Sequence, residues 1–128
     1  MIIVLPFTSC SRKIVFQNSS VVPAAQGTVK VKNDKNKNYV IKVEVSDLAD
    51  VSRLQPPKKT YVVWMETDQG KTENLGQLLS SSGFMSKQLK GSLETVSSFK
   101  PAKIYITAED DASIQYPGRQ LILSTTSF

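Results

Sequence analysis

The sequence has no histidine and a single cysteine, Cys10, among its 128 residues. Without histidine the chain lacks the commonest metal ligand, the usual general base at neutral pH and the usual pH switch. One cysteine cannot form an internal disulfide, and zinc sites built from cysteine and histidine are excluded. Because these absences leave little reactive side-chain chemistry, we expect no cofactor and no enzymatic activity.

The sequence also lacks long apolar runs. None approaches the ~20 residues that a membrane-spanning helix needs, so any membrane attachment must come through a lipid or a partner. Lysine and arginine outnumber aspartate and glutamate by 16 to 11, but these cations are spread out and carry no interleaved aromatic side chains on which bases would stack. We therefore expect no nucleic-acid partner, and the length suits one domain.

The first ten residues are apolar and close on small residues before the cysteine, in the order Met1-Ile2-Ile3-Val4-Leu5-Pro6-Phe7-Thr8-Ser9-Cys10. This order resembles the end of a bacterial lipoprotein signal peptide, in which the cysteine is lipidated and becomes the new N-terminus. The resemblance implies that residues 1–9 are a signal remnant, that Cys10 is the lipidation site, and that residues 10–26 form a tether. Part of Lys13–Gln17 would be captured as an edge strand. The alternative is a free thiol near an ordinary first strand.

A β-hairpin is predicted directly after the tether. Thr28–Lys32 and Tyr39–Val45 both alternate apolar and polar residues, and residues 33–38 between them supply turn chemistry. The apolar side chains of the two strands should face a core, while lysine and glutamate face water and pair across the strands. We interpret the lysines as a solvated face, and the alternative is a patch for phosphate or anionic lipid.

The segment after the hairpin predicts a crossover and then a central strand. Asp47–Leu54 is consistent with a short helical turn that Asp47 caps, and Pro56-Pro57 prevents its continuation. Thr60–Glu66 is apolar on both sides of the pleat, which is typical of a strand covered on both faces.

The remaining strands are shorter or more weakly patterned. They are Lys71–Leu79 with a bulge or a close backbone approach at Gly76, a weakly alternating Phe84–Leu93, Lys103–Ala108 and Gln120–Ser124, with a loop at Ser80–Gly83. About seven short strands with frequent turns predict an all-β fold, namely an antiparallel, immunoglobulin-like β-sandwich over residues 27–128. A barrel is the alternative.

A second resemblance concerns about half of the chain, roughly residues 61–125. The residues that carry it are Tyr61–Glu66, Gly70-Lys71, Asn74–Gly76, Gly83-Phe84, Pro101–Glu109 and Pro117-Gly118. In these residues the chain is similar to the extracytoplasmic C-terminal domain of anti-sigma-K factors. The similarity implies a sandwich and an envelope location, with a lipid in place of the family's spanning helix. It implies no catalytic or ligand residue, and it does not extend to the family's sigma-binding segment.

Three groups of side chains are candidate sites. Trp64, Tyr105 and Tyr116, with Tyr61, would line a sugar-binding face if they were exposed, and otherwise would fill the core. Glu109-Asp110-Asp111 would supply oxygen ligands to Ca²⁺ only if a tightly curved loop aimed them at one ion. Ser97-Ser98-Phe99-Lys100 matches the Ser-x-x-Lys pattern of serine β-lactamases, but the other motifs of that class are missing, so a polar loop is expected there.

Together these observations predict a non-enzymatic cell-envelope lipoprotein domain that serves as an interaction or structural module. Its expected partners are the membrane, through the lipid anchor, and an envelope protein or glycan. The expected location is extracytoplasmic and membrane-anchored. The alternative function is a glycan- or Ca²⁺-binding module of the envelope.

Overall fold

The computed structural model describes residues 11–82 and 89–128. Within these ranges the chain forms nine β-strands and one 3-10 helix, Val51–Arg53. The strands are β1 (Arg12–Val15), β2 (Gln26–Asn33), β3 (Tyr39–Leu48), β4 (Thr60–Thr67), β5 (Thr72–Gln77), β6 (Leu79–Ser82), β7 (Leu89–Ser97), β8 (Pro101–Glu109) and β9 (Leu121–Ser124). In the described part of the chain, no helix has both the length and the apolar character to cross a bilayer.

The strands form two antiparallel sheets. A five-stranded sheet has the order β1-β2-β3-β7-β6, and a four-stranded sheet has the order β5-β4-β8-β9. With β1 set aside, these orders correspond to strands A-B-E-D and C′-C-F-G of an immunoglobulin-like sandwich. The predicted all-β sandwich is confirmed, with nine strands instead of about seven because β1 and β6 are added at the edges of one sheet.

The predicted hairpin is formed by β2 and β3, which pair with Val29 opposite Val43 and Val31 opposite Ile41. All four side chains are buried between the sheets. Period-two alternation predicted this region correctly because one face of the hairpin covers the core and the other faces water.

The charges on the hairpin pair differently from the prediction. The Lys42 ammonium lies 3.2 Å from the carboxylate of Glu44 on the same strand. The residue directly across from Lys42 on β2 is Lys30, another cation. The expected lysine–glutamate pair across these two strands is therefore replaced by a pair along β3.

Strand β4 is buried on both faces, as its double-sided apolar pattern predicted. Tyr61, Val63 and Met65 face the core between the sheets. Val62 and Trp64 point the opposite way and are also fully buried, because the connection between β8 and β9 folds over this side of the four-stranded sheet.

Two local predictions are wrong. The helical turn is limited to Val51–Arg53 and is capped by Asp50, whose carboxylate accepts a hydrogen bond from the Ser52 amide at 2.9 Å. Asp47 instead belongs to β3, with a φ of 58°. Residues Leu79–Ser82, of which the serines had predicted a loop, form β6 because their backbone pairs with β7.

The bulge predicted at Gly76 is confirmed. Gly76 has a φ of 127°, and the pairing of β4 with β5 shifts register beside it. The weakly patterned segment Phe84–Leu93 contributes its last residues to β7, which begins at Leu89. Phe84 itself lies outside the described residues.

The segment expected to act as a tether contributes to the packed sandwich. Arg12–Val15 pairs with β2 as an edge strand, and Phe16, Val22 and Ala25 are buried in the core. The amide of Gln17 then donates to the Ser124 carbonyl of β9 at 2.9 Å. This part of the chain therefore connects the two sheets along one edge.

Candidate functional site

The candidate site is the outer side of the four-stranded sheet, where the β8–β9 connection lies across it. A chain of buried hydrogen bonds starts at Trp64, whose indole Nε1–H donates to Thr107 Oγ1 at 2.8 Å. The Thr107 hydroxyl donates to Glu109 Oε2 at 2.6 Å. The amide of Gly118 donates to the same carboxylate oxygen at 2.7 Å. Two strands and the far end of the connection thus share one polar network.

A side chain at position 118 would disturb this close approach. A Cβ atom there would lie 2.7 Å from Oε1 of Glu109, closer than non-bonded carbon and oxygen atoms can pack. Either the Glu109 carboxylate or the connection would therefore have to shift, and the hydrogen bonds between them would be strained.

A second fastening point lies on β5. The Asn74 amide nitrogen donates to the carbonyls of Ala112 and Ile114, at 2.8 Å each. Its amide oxygen accepts from the Gly76 backbone at 2.8 Å, across the bulge. The connection is thus held near its start by Asn74 and near its end by Glu109, so its exposed tip is presented from a fixed base.

An open groove of about 660 Å³ separates β5 from the tip of the connection. Tyr116, at the tip, is 80% exposed. The other residues that line the groove are mostly polar or small; they are Thr72, Glu73, Asn74, Leu75, Gly76, Ala112, Ser113, Ile114 and Gln115.

The structure separates the four aromatic candidates by exposure. Trp64 is fully buried, so it is not available as a stacking platform. Tyr105 lies directly opposite Trp64 on β8 and is partly exposed, with the Lys103 ammonium 6.0 Å from its ring centre. Tyr61 belongs to the core, and its hydroxyl donates to the Ala49 carbonyl at 2.5 Å. Tyr116 is the most exposed of the four.

Burial also affects the tyrosine hydroxyls. It raises the pKa of Tyr61 to about 12, with a smaller contribution from the negative charge of Asp50. Burial likewise raises the pKa of Tyr105, partly opposed by a hydrogen bond from Thr72. Both phenols are therefore neutral at physiological pH.

The three carboxylates considered for Ca²⁺ have separate partners. Glu109 is bound to Thr107 and Gly118, as above, and Asp110 lies 3.7 Å from the Lys58 ammonium. Asp111 accepts from the backbone and hydroxyl of Ser113 at 2.9 and 2.7 Å, and these bonds lower its pKa. No group of three or more cysteine, aspartate or glutamate side chains in residues 11–82 and 89–128 is placed to hold a metal ion.

The Ser-x-x-Lys match lies at a strand end and a turn. Strand β7 ends at Ser97 and β8 begins at Pro101, and the Ser97 hydroxyl oxygen accepts from the Phe99 amide at 3.1 Å. The helical turn that places this lysine beside its serine in β-lactamases is therefore replaced by a bend between two strands. The proposed lipidation site, Cys10, lies outside the described residues.

Sequence reasoning missed the residues that hold the connection in place. Asn74, Thr107 and Gly118 lie in segments that carry the second resemblance, but that resemblance implies no such role for them. Asn74 and Thr107 each bind a partner more than thirty positions away. A weak indication was present in Thr107 and Glu109, because two polar residues of β8 share the side opposite its apolar residues.

Fold and site together define an immunoglobulin-like sandwich with a fastened connection, a polar groove and an exposed tyrosine. Comparisons of the chain with protein-family models, curated proteins and solved structures found no match.

Proposed function

We propose that this chain is the non-enzymatic domain of a cell-envelope lipoprotein and acts as an interaction module through the tip of its β8–β9 connection. The observation that carries the proposal is Tyr116, which is 80% exposed on a segment fastened at two points. Tyrosine is enriched at protein interfaces because it offers a large contact area at a low entropy cost. A fixed base lowers that cost further.

The position of the tip also supports the proposal. Connections between strands are common binding surfaces, because the sheets hold their ends in place while their sequence is free to vary. The ring of Tyr116 lies at the rim of the groove beside β5, so a partner that covers the ring would also reach the polar groups of the groove.

Site-specific photocrosslinking in cells tests this interaction surface. A photoreactive amino acid at Tyr116 should yield a discrete crosslinked species. The matched control is the same amino acid at Phe99, which is 39% exposed and lies before β8, at the opposite end of that strand. Equal crosslinking at both positions, or none at Tyr116, would contradict the proposal.

A glycan ligand is the second candidate, because an exposed aromatic ring beside an amide group is the arrangement that sugar binding needs. Tyr116 has the amide of Gln115 next to it in the groove. The probe is Tyr116→Trp, titrated with N-acetylglucosamine oligomers and compared with Phe99→Trp. A saturable fluorescence change in Tyr116→Trp alone supports a glycan ligand, and no change on titration excludes this class of ligand.

We also propose that Cys10 is lipidated and holds the domain at the outer side of the membrane. The support is the apolar and small-residue sequence before Cys10 and the resemblance to an extracytoplasmic family. In the native precursor, Cys10→Ala should move the protein from the membrane fraction to the soluble fraction when the membranes are washed in high salt, which screens contacts made by charge alone. Ser11→Ala should leave it in place. A Cys10→Ala product that still sediments with membranes after this wash would exclude this anchor.

A further inference from the structure

The outer side of the five-stranded sheet carries a row of lysines that run directly across three strands. Lys13 of β1 is paired with Lys30 of β2, and Lys30 is paired with Lys42 of β3. All three side chains are exposed. Neighbouring strands lie about 4.8 Å apart, so the row spans about 10 Å. Lys32, two positions after Lys30, belongs to the same side.

Such a row is unfavourable for folding. Like charges directly opposite each other on neighbouring strands destabilise a sheet, and here the arrangement occurs twice in succession. The nearest acidic partners lie to one side of the row: Glu44 is paired with Lys42 along β3, and Glu94 is opposite Lys42 on β7. The β1–β2 half of this face therefore keeps an excess of positive charge.

The row is also close to the proposed lipid attachment point. Strand β1 begins two residues after Cys10, and an extended chain spans at most about 3.5 Å per residue. Lys13 therefore stays within about 10 Å of Cys10, close to the ~8 Å screening length at physiological ionic strength. A lipid on Cys10 would thus hold this face where the surface charge of a membrane is felt.

We infer that the row Lys13, Lys30 and Lys42 docks the domain face-on against an anionic phospholipid surface. This inference uses the proposed anchor at Cys10 for its geometry, but the contact itself depends only on the lysines. The face suits lipid headgroups better than nucleic acid, because its apolar members are aliphatic, as Val15 and Val96 show at 65% and 56% exposure. No aromatic residue lies on the described strands of this side to stack bases.

The test uses the full 128-residue chain carrying Cys10→Ser, so that lipidation cannot contribute. Binding is measured by co-sedimentation with vesicles of equal phosphatidylglycerol and phosphatidylcholine, and with vesicles of phosphatidylcholine alone. The test variant combines Lys13→Gln, Lys30→Gln and Lys42→Gln. The control removes the same charge elsewhere, through Lys59→Gln, Lys71→Gln and Lys100→Gln, which are all exposed.

Each lysine near an anionic surface contributes about a fivefold factor in binding, so the test variant should bind anionic vesicles roughly a hundredfold more weakly. The control variant should bind anionic vesicles much more tightly than the test variant, and this binding should weaken as the salt concentration rises. Vesicles of phosphatidylcholine alone should retain little of either variant. Equal loss in both variants would overturn the inference. Retention of duplex DNA through the row, without vesicle binding, would also overturn it.

Two further outcomes distinguish membrane docking from protection of the edge strand and from lipid anchoring. If the lysines serve only to protect the edge strand, the test variant will self-associate without any change in vesicle binding, which contradicts docking. If Cys10→Ala leaves the native protein on membranes even after a high-salt wash, while the vesicle result holds, the anchor fails and the docking surface stands. Circular dichroism confirms that each variant is folded.

Discussion

At the scale of single residues, the site depends on one hydroxyl. Thr107 accepts from the Trp64 indole and donates to Glu109, so removing its hydroxyl leaves the buried Trp64 N–H without a partner and the Glu109 carboxylate with only the Gly118 amide. Unsatisfied buried groups cost more than the hydrogen bond is worth when formed. Thr107 therefore matters for stability as well as for the position of the connection that carries Tyr116.

The variant Thr107→Val keeps the shape of the side chain and removes the hydroxyl. It should lower the free energy of unfolding by about 1–3 kcal/mol, measured by urea denaturation. Thr126→Val, at an exposed position, is the control and should change stability by less than about 0.5 kcal/mol. A Thr107→Val protein as stable as its parent would show that the network is not formed.

Tyr61 makes a contribution to the free energy of unfolding that depends on pH in the alkaline range. Because its pKa is raised to about 12 in the fold, from an ordinary value of 10.0, the unfolded chain loses this proton first. The contribution is therefore complete below pH 10 and is lost as pH rises from about 10 to about 12. The urea midpoint of the parent should fall more over this range than that of Tyr61→Phe.

The matched control for that comparison is Tyr116→Phe, which removes an exposed phenol and should follow the parent. At neutral pH, Tyr61→Phe should cost about 1 kcal/mol, because the hydrogen bond to the Ala49 carbonyl is lost. Identical alkaline slopes for Tyr61→Phe and the parent would contradict the assigned cause.

At the scale of elements, the predictable strands are those whose two sides face different surroundings or are both buried. The β2–β3 hairpin and β4 follow from their patterns because burial fixes which residues must be apolar. Strand β6 and the Asp50 cap did not follow, because serines favour loops and two aspartates, Asp47 and Asp50, precede the helical turn. Strand β6 forms because it pairs with β7, and Asp50 is the cap because β3 extends past Asp47 to Leu48. Neither fact can be read from the local sequence.

The junction of β1 and β2 offers a test of element packing. A Cβ atom at Gly27 would lie 2.8 Å from both the Glu44 carbonyl oxygen and a ring carbon of Phe16. Gly27→Ala should therefore destabilise the protein by about 1–3 kcal/mol in urea denaturation. Gln26→Ala, at the neighbouring exposed position, should be nearly neutral, and equal effects of the two changes would contradict this packing.

At the scale of the whole molecule, the two sheets use their outer sides differently. The outer side of the four-stranded sheet is covered by the β8–β9 connection, which explains why Val62 and Trp64 are buried away from the core. The outer side of the five-stranded sheet carries the lysine row. The sandwich itself could be predicted from alternation and turns. The covering of the four-stranded sheet could not be predicted, because it depends on the hydrogen bonds that Asn74 and Glu109 make to the β8–β9 connection. Asn74 is far from that connection in the sequence.

Hydrogen exchange of the single indole N–H, measured by NMR, is the most direct test of whether the β8–β9 connection covers the four-stranded sheet, since the chain has one tryptophan. With Trp64 buried and donating to Thr107, this proton should exchange far more slowly than in the urea-unfolded chain, and Thr107→Val should speed its exchange. An indole proton that exchanges as fast in the folded protein as in the unfolded chain would show that the connection does not cover the sheet, and the fixed display of Tyr116 would be contradicted.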